Sequence, residues 1–152
     1  MKTLESWMDH YSLSHQNEMN KYIHKVCVPI INFTLIGALW CLPRPDFFVN
    51  RFIFMNWAII GSILSLVFYF RLSLQAFVLM FAKLSSMIWI CSLFSNQPAF
   101  LFWCLALFVL SWIGQFVGHK IEGEKPSFLE DLQFLMIGPL WVLKAITGYP
   151  SK

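Results

Sequence analysis

Residues 99–117 read AFLFWCLALFVLSWIGQFV, an uncharged apolar run followed at once by Gly118-His119-Lys120-Ile121-Glu122-Gly123-Glu124-Lys125-Pro126. A helix needs roughly 20 apolar residues to cross a hydrocarbon core ~30 Å thick, and this run is near that length. Three further apolar runs precede it: Val26 to Leu42, Phe52 to Phe70 and Leu74 to Phe94. They are separated by Pro43-Arg44-Pro45-Asp46, by Arg71 and by Ser95-Asn96-Gln97-Pro98. Connections this short make neighbouring helices antiparallel. The reading is an all-α membrane protein. It is a bundle of about four transmembrane helices (approximately 26–42, 52–70, 74–94 and 99–117) in a single integral-membrane domain spanning residues 1–152. A fifth apolar segment, Leu132 to Ile146, is shorter and carries Gly138-Pro139, so a short or re-entrant apolar helix is expected there. Asp9 to Lys25 reads as an N-terminal amphipathic helix.

Composition agrees with this. Of 152 residues, 58% are hydrophobic, 18% aromatic and 12% charged, whereas a soluble domain is about a quarter charged. The formal net charge of +3 is too small to imply nucleic acid. Cys27, Cys41, Cys91 and Cys104 all lie in apolar runs, match no zinc spacing and imply no disulfide framework. The first two dozen residues lack the apolar core of a signal peptide, so no cleavage is expected.

With four spans, the N-terminal region, the second loop and the C-terminal region share one side of the membrane. Near the spans that side carries Lys21, Lys25, Arg71, Lys120 and Lys125, with Lys2 further out, against Arg44 and Arg51 opposite. The positive-inside rule puts both termini in the cytosol, across a bacterial inner membrane or the endoplasmic reticulum. Lys83, inside the third run, is expected to face the bundle or to snorkel.

Polar residues cluster at two points that this topology puts on one face of the membrane. One is the segment just quoted, and the other is His15-Gln16-Asn17-Glu18-Met19-Asn20-Lys21-Tyr22-Ile23-His24. At about 100° per residue, Asn17, Asn20 and His24 share a helix face, and His15 falls nearly opposite. For both histidines to serve one site, His15 must lie at or before the helix start, or the helix must bend. Ser12 or Ser14 is the expected cap of such a start. Gln115, His119 and Glu122 follow an i, i+4, i+7 pattern on one face. Gly118 lets a backbone or ligand come close, and Pro126 ends the element. Three histidines and a carboxylate suit a divalent transition metal such as Fe, Zn or Cu. Asn17, Asn20 and Gln115 would then orient the imidazoles. The plainer alternative is a set of hydrated interfacial side chains. His10 lies outside both patterns and reads as a surface residue.

At these residues a family resemblance emerges. Tyr11-x-x-x-His15-x-Asn17-x-x-Asn20-x-x-x-His24-x-x-x-Val28-Pro29 resembles the N-terminal signature of the 2-hydroxy fatty acid dioxygenases. Trp112-x-x-Gln115-Phe116-Val117-Gly118-His119, with Glu122 and Pro126, resembles the second signature, and Asp131-Leu132 and Gly138-Pro139 also fit. The resemblance implies an Fe(II)-dependent enzyme of fatty-acid α-oxidation. Its substrates would be a 2-hydroxy fatty acid and O2, and its products CO2 and an acid one carbon shorter. His15, His24 and His119 would be the iron ligands. Glu122 would accept the hydroxyl proton or complete the metal shell. The segment after Gly118-His119 is shorter than the family pattern, so either Glu122 or Glu124 is the counterpart of its acidic residue. No carboxylate follows Gly138-Pro139, where the family tends to carry one.

A substrate with a C16-type chain partitions into lipid at about 0.8 kcal/mol per methylene, so a site at the membrane boundary suits it. Lys21 and Lys120, with Lys25 and Lys125, would draw in its carboxylate or merely set topology. A different class of function is a non-catalytic scaffold or lipid-headgroup-binding protein. A carrier is disfavoured by the lack of paired intramembrane charges and of an inverted repeat.

Overall fold

The computed structural model describes residues 3–46, 55–123 and 128–148, with the backbone alone for 128–134. Lys2, Arg51, Glu124, Lys125, Pro126 and the start of the second apolar run at Phe52 lie outside these residues. Among the described residues the chain is all-helical, with six helices and no strand: α1 (Leu4–Leu13), α2 (Glu18–Cys41), α3 (Trp57–Leu72), α4 (Leu74–Phe94), α5 (Phe100–Glu122) and α6 (Phe128–Thr147). Side-chain oxygens start several of them by accepting an otherwise orphaned amide N–H. Thr3 accepts from Ser6 N at 3.2 Å, Asn56 from Ile59 N at 3.0 Å and Ser73 from Ala76 N at 3.0 Å.

Helices α2, α4 and α5 are long and apolar enough to cross a membrane, by length and composition. The 16 residues of α3 make a shorter apolar helix, about 24 Å at 1.5 Å per residue against a core of ~30 Å. The C-terminal apolar segment is not interrupted at Gly138-Pro139, because α6 runs through both. Proline there forgoes one i→i−4 hydrogen bond.

The stretch from Asp9 to Lys25 is two helix ends rather than one amphipathic helix. Residues 14–17 separate α1 from α2. The cap of α2 is Asn17, whose Oδ1 accepts from Met19 N at 2.9 Å and Asn20 N at 3.4 Å. The serines proposed for that role turn back onto α1 instead. Ser12 Oγ donates to Met8 O at 2.8 Å and Ser14 Oγ to Tyr11 O at 3.2 Å.

The residues form two compact units, one of residues up to Asn32 together with those from Val109 onward, the other of Phe33–Phe108. In the second, Ile36, Ala58, Leu84 and Cys91 make a buried core, packed by Phe33, Leu39, Trp40 and Leu66 among others. Along α4 the buried positions Ala76, Met80, Leu84 and Cys91 form a single stripe, while Val78, Phe81, Trp89 and Leu93 are exposed. A helix with so narrow a buried stripe and so apolar an exposed surface suits lipid, not water.

The first unit is the reverse, with polar groups at its centre. His15, Asn20, His24, Gln115 and His119 are buried alongside Tyr11, Val28, Ile31, Ile137 and Leu140. Close approach of α5 to α2 depends on two glycines one turn apart. A Cβ at Gly114 would meet Cys27 Sγ at 2.9 Å, and one at Gly118 would collide with Asn20 Oδ1. Small residues at i and i+4 are a common device for bringing apolar helices together. At Gly138 a Cβ would lie 3.2 Å from Tyr11 Oη, so α6 also comes close to α1.

Candidate metal centre

Each histidine is delivered by a different local device. His15 lies in the 14–17 connection, just past the C-terminus of α1. There its ring meets a carbonyl in the last turn of α1: Nδ1 is 2.7 Å from Tyr11 O and 3.1 Å from Ser14 Oγ. His24 stands in α2 with Nδ1 3.0 Å from Asn20 O, one turn back. A carbonyl oxygen only accepts, so both Nδ1 atoms carry the proton. The lone pair of each imidazole then sits on Nε2. His119 comes from the last turns of α5.

The three imidazoles meet. Their ring centroids are 4.3 Å apart for His15 and His24, 5.0 Å for His24 and His119, and 5.4 Å for His15 and His119. Each offers one nitrogen, and these atoms lie within 4.8 Å of one another. Two nitrogens each about 2.1 Å from one ion are at most ~4.2 Å apart, so small ring rotations bring all three to a shared cation. His15 Nε2 is buried with no hydrogen-bond partner among the described residues. Burial holds the His15 imidazole down to a pKa of about 4, with His119 adding to the effect and the Tyr11 carbonyl and Glu122 carboxylate opposing it. It is therefore neutral at neutral pH, the form that ligates metal. A buried imidazole lone pair with no donor, beside two more imidazoles, fits a transition-metal cation better than it fits a packed core.

Aromatic rings fix His15 from behind. Tyr11 stacks on it at 4.1 Å with planes 7° apart, and Trp141 lies 5.6 Å away. Trp141 Nε1 donates to Ser12 Oγ at 3.1 Å, tying α6 to the end of α1. Tyr11 was visible in the sequence as the i−4 neighbour of His15. Nothing in the sequence pointed to Trp141.

The other expected residues sit as follows. Glu122 is turned to the start of α2: Oε1 accepts from Gln16 N at 2.7 Å, Oε2 from Asn17 N at 3.0 Å and from Asn20 Nδ2 at 2.9 Å. It is not in the histidine group. Asn17 is exposed and shapes the connection rather than touching an imidazole through its side chain. Asn20 orients His24 through its main-chain carbonyl, while its carboxamide reaches Glu122. Gln115 is buried, and its Nε2 has no hydrogen-bond partner among the described residues. Lys21 pairs with Glu18 at 2.9 Å, and Lys120 is exposed. His10 is half-buried on α1, outside the histidine group.

Beside the three rings lies a cavity of about 30 Å³. Its polar wall is Tyr11, the histidines and Gln115, and its apolar wall is Val28, Ile31, Trp112, Leu135 and Pro139. Ile31 is seven residues beyond His24 along α2, and Trp112 seven before His119 along α5. Both therefore lie about 10 Å along their helices from the histidines, toward the apolar runs.

Among the described residues the chain is of the class of all-helical proteins with membrane-capable helices, here three, and a buried cluster of three histidines. More narrowly, the chain belongs to the family described as "2-hydroxy-palmitic acid dioxygenase Mpo1-like", which it matches over residues 1–149. It is 28% identical over 143 residues to 2-hydroxy-palmitic acid dioxygenase MPO1 of Saccharomyces cerevisiae, covering 92% of this chain and 77% of that protein. No solved structure matches it.

Proposed function

We propose that this chain is an Fe(II)-dependent dioxygenase of 2-hydroxy fatty acids, with His15, His24 and His119 holding the metal. The supporting observation is the convergence of three buried imidazoles, one with an unmatched Nε2, on a cavity with one polar and one apolar wall. The reaction balances as R–CH(OH)–COOH + O2 → R–COOH + CO2 + H2O. The C1–C2 bond breaks, and the substrate itself supplies the electrons. Ferrous iron would supply O2 activation. The histidines hold the cation, the stacked Tyr11 ring keeps His15 aimed at it, and the apolar wall leads the acyl chain away from the head. A cavity of about 30 Å³ is close to the volume of one water. The chain must therefore lie beyond it, in lipid or in space opened on binding.

This reading extends to the membrane. Counting α3 gives four spans, with the histidine centre at the cytosolic end, where a carboxylate head meets water while its tail stays in the bilayer. The test is to supply iron-loaded protein with 2-hydroxypalmitate and O2 and to measure the C15 acid and CO2. Product formation that requires iron supports the reading. A protein that binds no stoichiometric metal is instead a scaffold.

The hydrogen bonds of Glu122 support a positioning role for it rather than that of proton acceptor. Its oxygens are committed to the amides of Gln16 and Asn17 and to Asn20, so it positions the loop that carries His15. Glu122→Gln is therefore expected to weaken iron retention roughly 10–100-fold, the usual cost of losing an outer partner of a ligand. Turnover per bound iron should stay close to that of the parent. Full iron with a collapsed rate would return Glu122 to acid–base work.

A further inference from the structure

Among the described residues no Lys or Arg lines the cavity beside the histidines. Of the lysines close in sequence, Lys21 pairs with Glu18 and Lys120 is at the exposed surface. A 2-hydroxy acid entering here brings a carboxylate whose charge must be met by the metal site and by neutral donors. The Nδ1 groups of His15 and His24 are spent on main-chain carbonyls. Gln115 is 9% exposed, lines the cavity and has an amide nitrogen with no acceptor among the described residues. Buried donors without acceptors are rare in folded proteins and call for an explanation.

Gln115 is also in the right place. It precedes His119 by one turn on the same face of α5, about 6 Å along the axis toward the apolar end. A carboxylate that met the histidine centre with one oxygen would have the Gln115 amide on the wall of the same cavity for the other. Resting on the dioxygenase reading, we infer that the Gln115 side-chain amide donates to the substrate carboxylate and so selects 2-hydroxy acids over neutral lipids of the same length. Gln115 is then a substrate-binding residue, not an orienter of an imidazole.

The test compares iron-loaded wild type with Gln115→Leu, measuring iron per chain and the Kd values for 2-hydroxypalmitate and 1,2-hexadecanediol by tryptophan fluorescence quenching. The diol keeps the chain and the 2-hydroxyl but lacks the carboxylate. Gln115→Leu is expected to keep its iron, to bind the acid roughly tenfold or more weakly, as loss of a hydrogen bond to a charged group implies, and to bind the diol within about twofold of wild type. Equal weakening for acid and diol, no weakening, or loss of iron would overturn the inference. If Gln115→Leu does not fold, Gln115→Glu serves instead. Its carboxylate should reject the acid and spare the diol, and retained acid binding would count against the inference. Acid binding by wild type that survives Gln115→Leu overturns this inference alone, whereas wild type that binds no acid at all overturns the dioxygenase reading beneath it.

Discussion

Replacing His24 or His119 with alanine is expected to abolish iron retention and product formation while leaving the amount of membrane-inserted protein nearly unchanged. Each residue offers one of the three nitrogens that lie within 4.8 Å of one another. Deleting a direct ligand should cost more than the roughly 10–100-fold that follows loss of an outer partner. The apolar stripe of α4 and the core around Ile36 and Ala58 are untouched by either change, so insertion should proceed. His10→Ala is the control, since His10 lies outside the group, and it should keep iron and rate. Metal analysis and a product assay on detergent-purified variants check all three. An equal loss for His10→Ala would indicate that the histidines support the fold and not a metal.

The second large effect is expected at a residue with no chemistry of its own. Gly118→Ala puts a methyl group where Asn20 Oδ1 already sits, and 3.5 Å from His24 Cε1. Asn20 must then release Glu122 or α5 must move away from α2. Either change disturbs the setting of His15 and His24 together. Overpacking of this kind costs about 1–3 kcal/mol, and iron retention should fall at least tenfold with it. Gly61→Ala is the matched control, because its new Cβ would meet Leu39 Cδ1 at an ordinary 3.6 Å. Thermal unfolding and iron content measured side by side test the pair. A Gly118→Ala protein with parental Tm and full iron would show that the approach of α5 to α2 is not what sets the site.

The site could be read from the sequence to the extent that local periodicity carries it. Helical phase placed Gln115, His119 and Glu122 on one face, and the expected meeting of the two clusters is seen in the approach of His119 to His15 and His24. The phase conflict between His15 and His24 demanded a break, and the structure makes that break at residues 14–17, with Asn17 as the cap. Serine and asparagine both cap helices well, so the sequence alone could not choose among Ser12, Ser14 and Asn17. Contacts between distant segments were beyond any local pattern. Glu122 binds amides more than 100 residues away, and a carboxylate three residues from a histidine looks the same whether it faces a metal or a helix N-terminus. Trp141 and Gly114 were missed for the same reason. Their roles come from packing against α1 and α2, which no spacing within α6 or α5 reveals. The apolar runs showed which segments are lipid-like but not where the helices begin. The polar first turns of α2 continue into an apolar run without a break, so Asn20 and His24 ride on a membrane-capable helix.

The claim on which the rest depends is that His15, His24 and His119 share one metal ion. X-ray absorption at the iron edge of the iron-loaded protein tests it directly. One iron per chain is expected, with the outer-shell scattering of about three imidazoles, one fewer in His119→Ala where any iron remains. Iron below stoichiometry, or a spectrum without imidazole scattering that His119→Ala leaves unchanged, would contradict it.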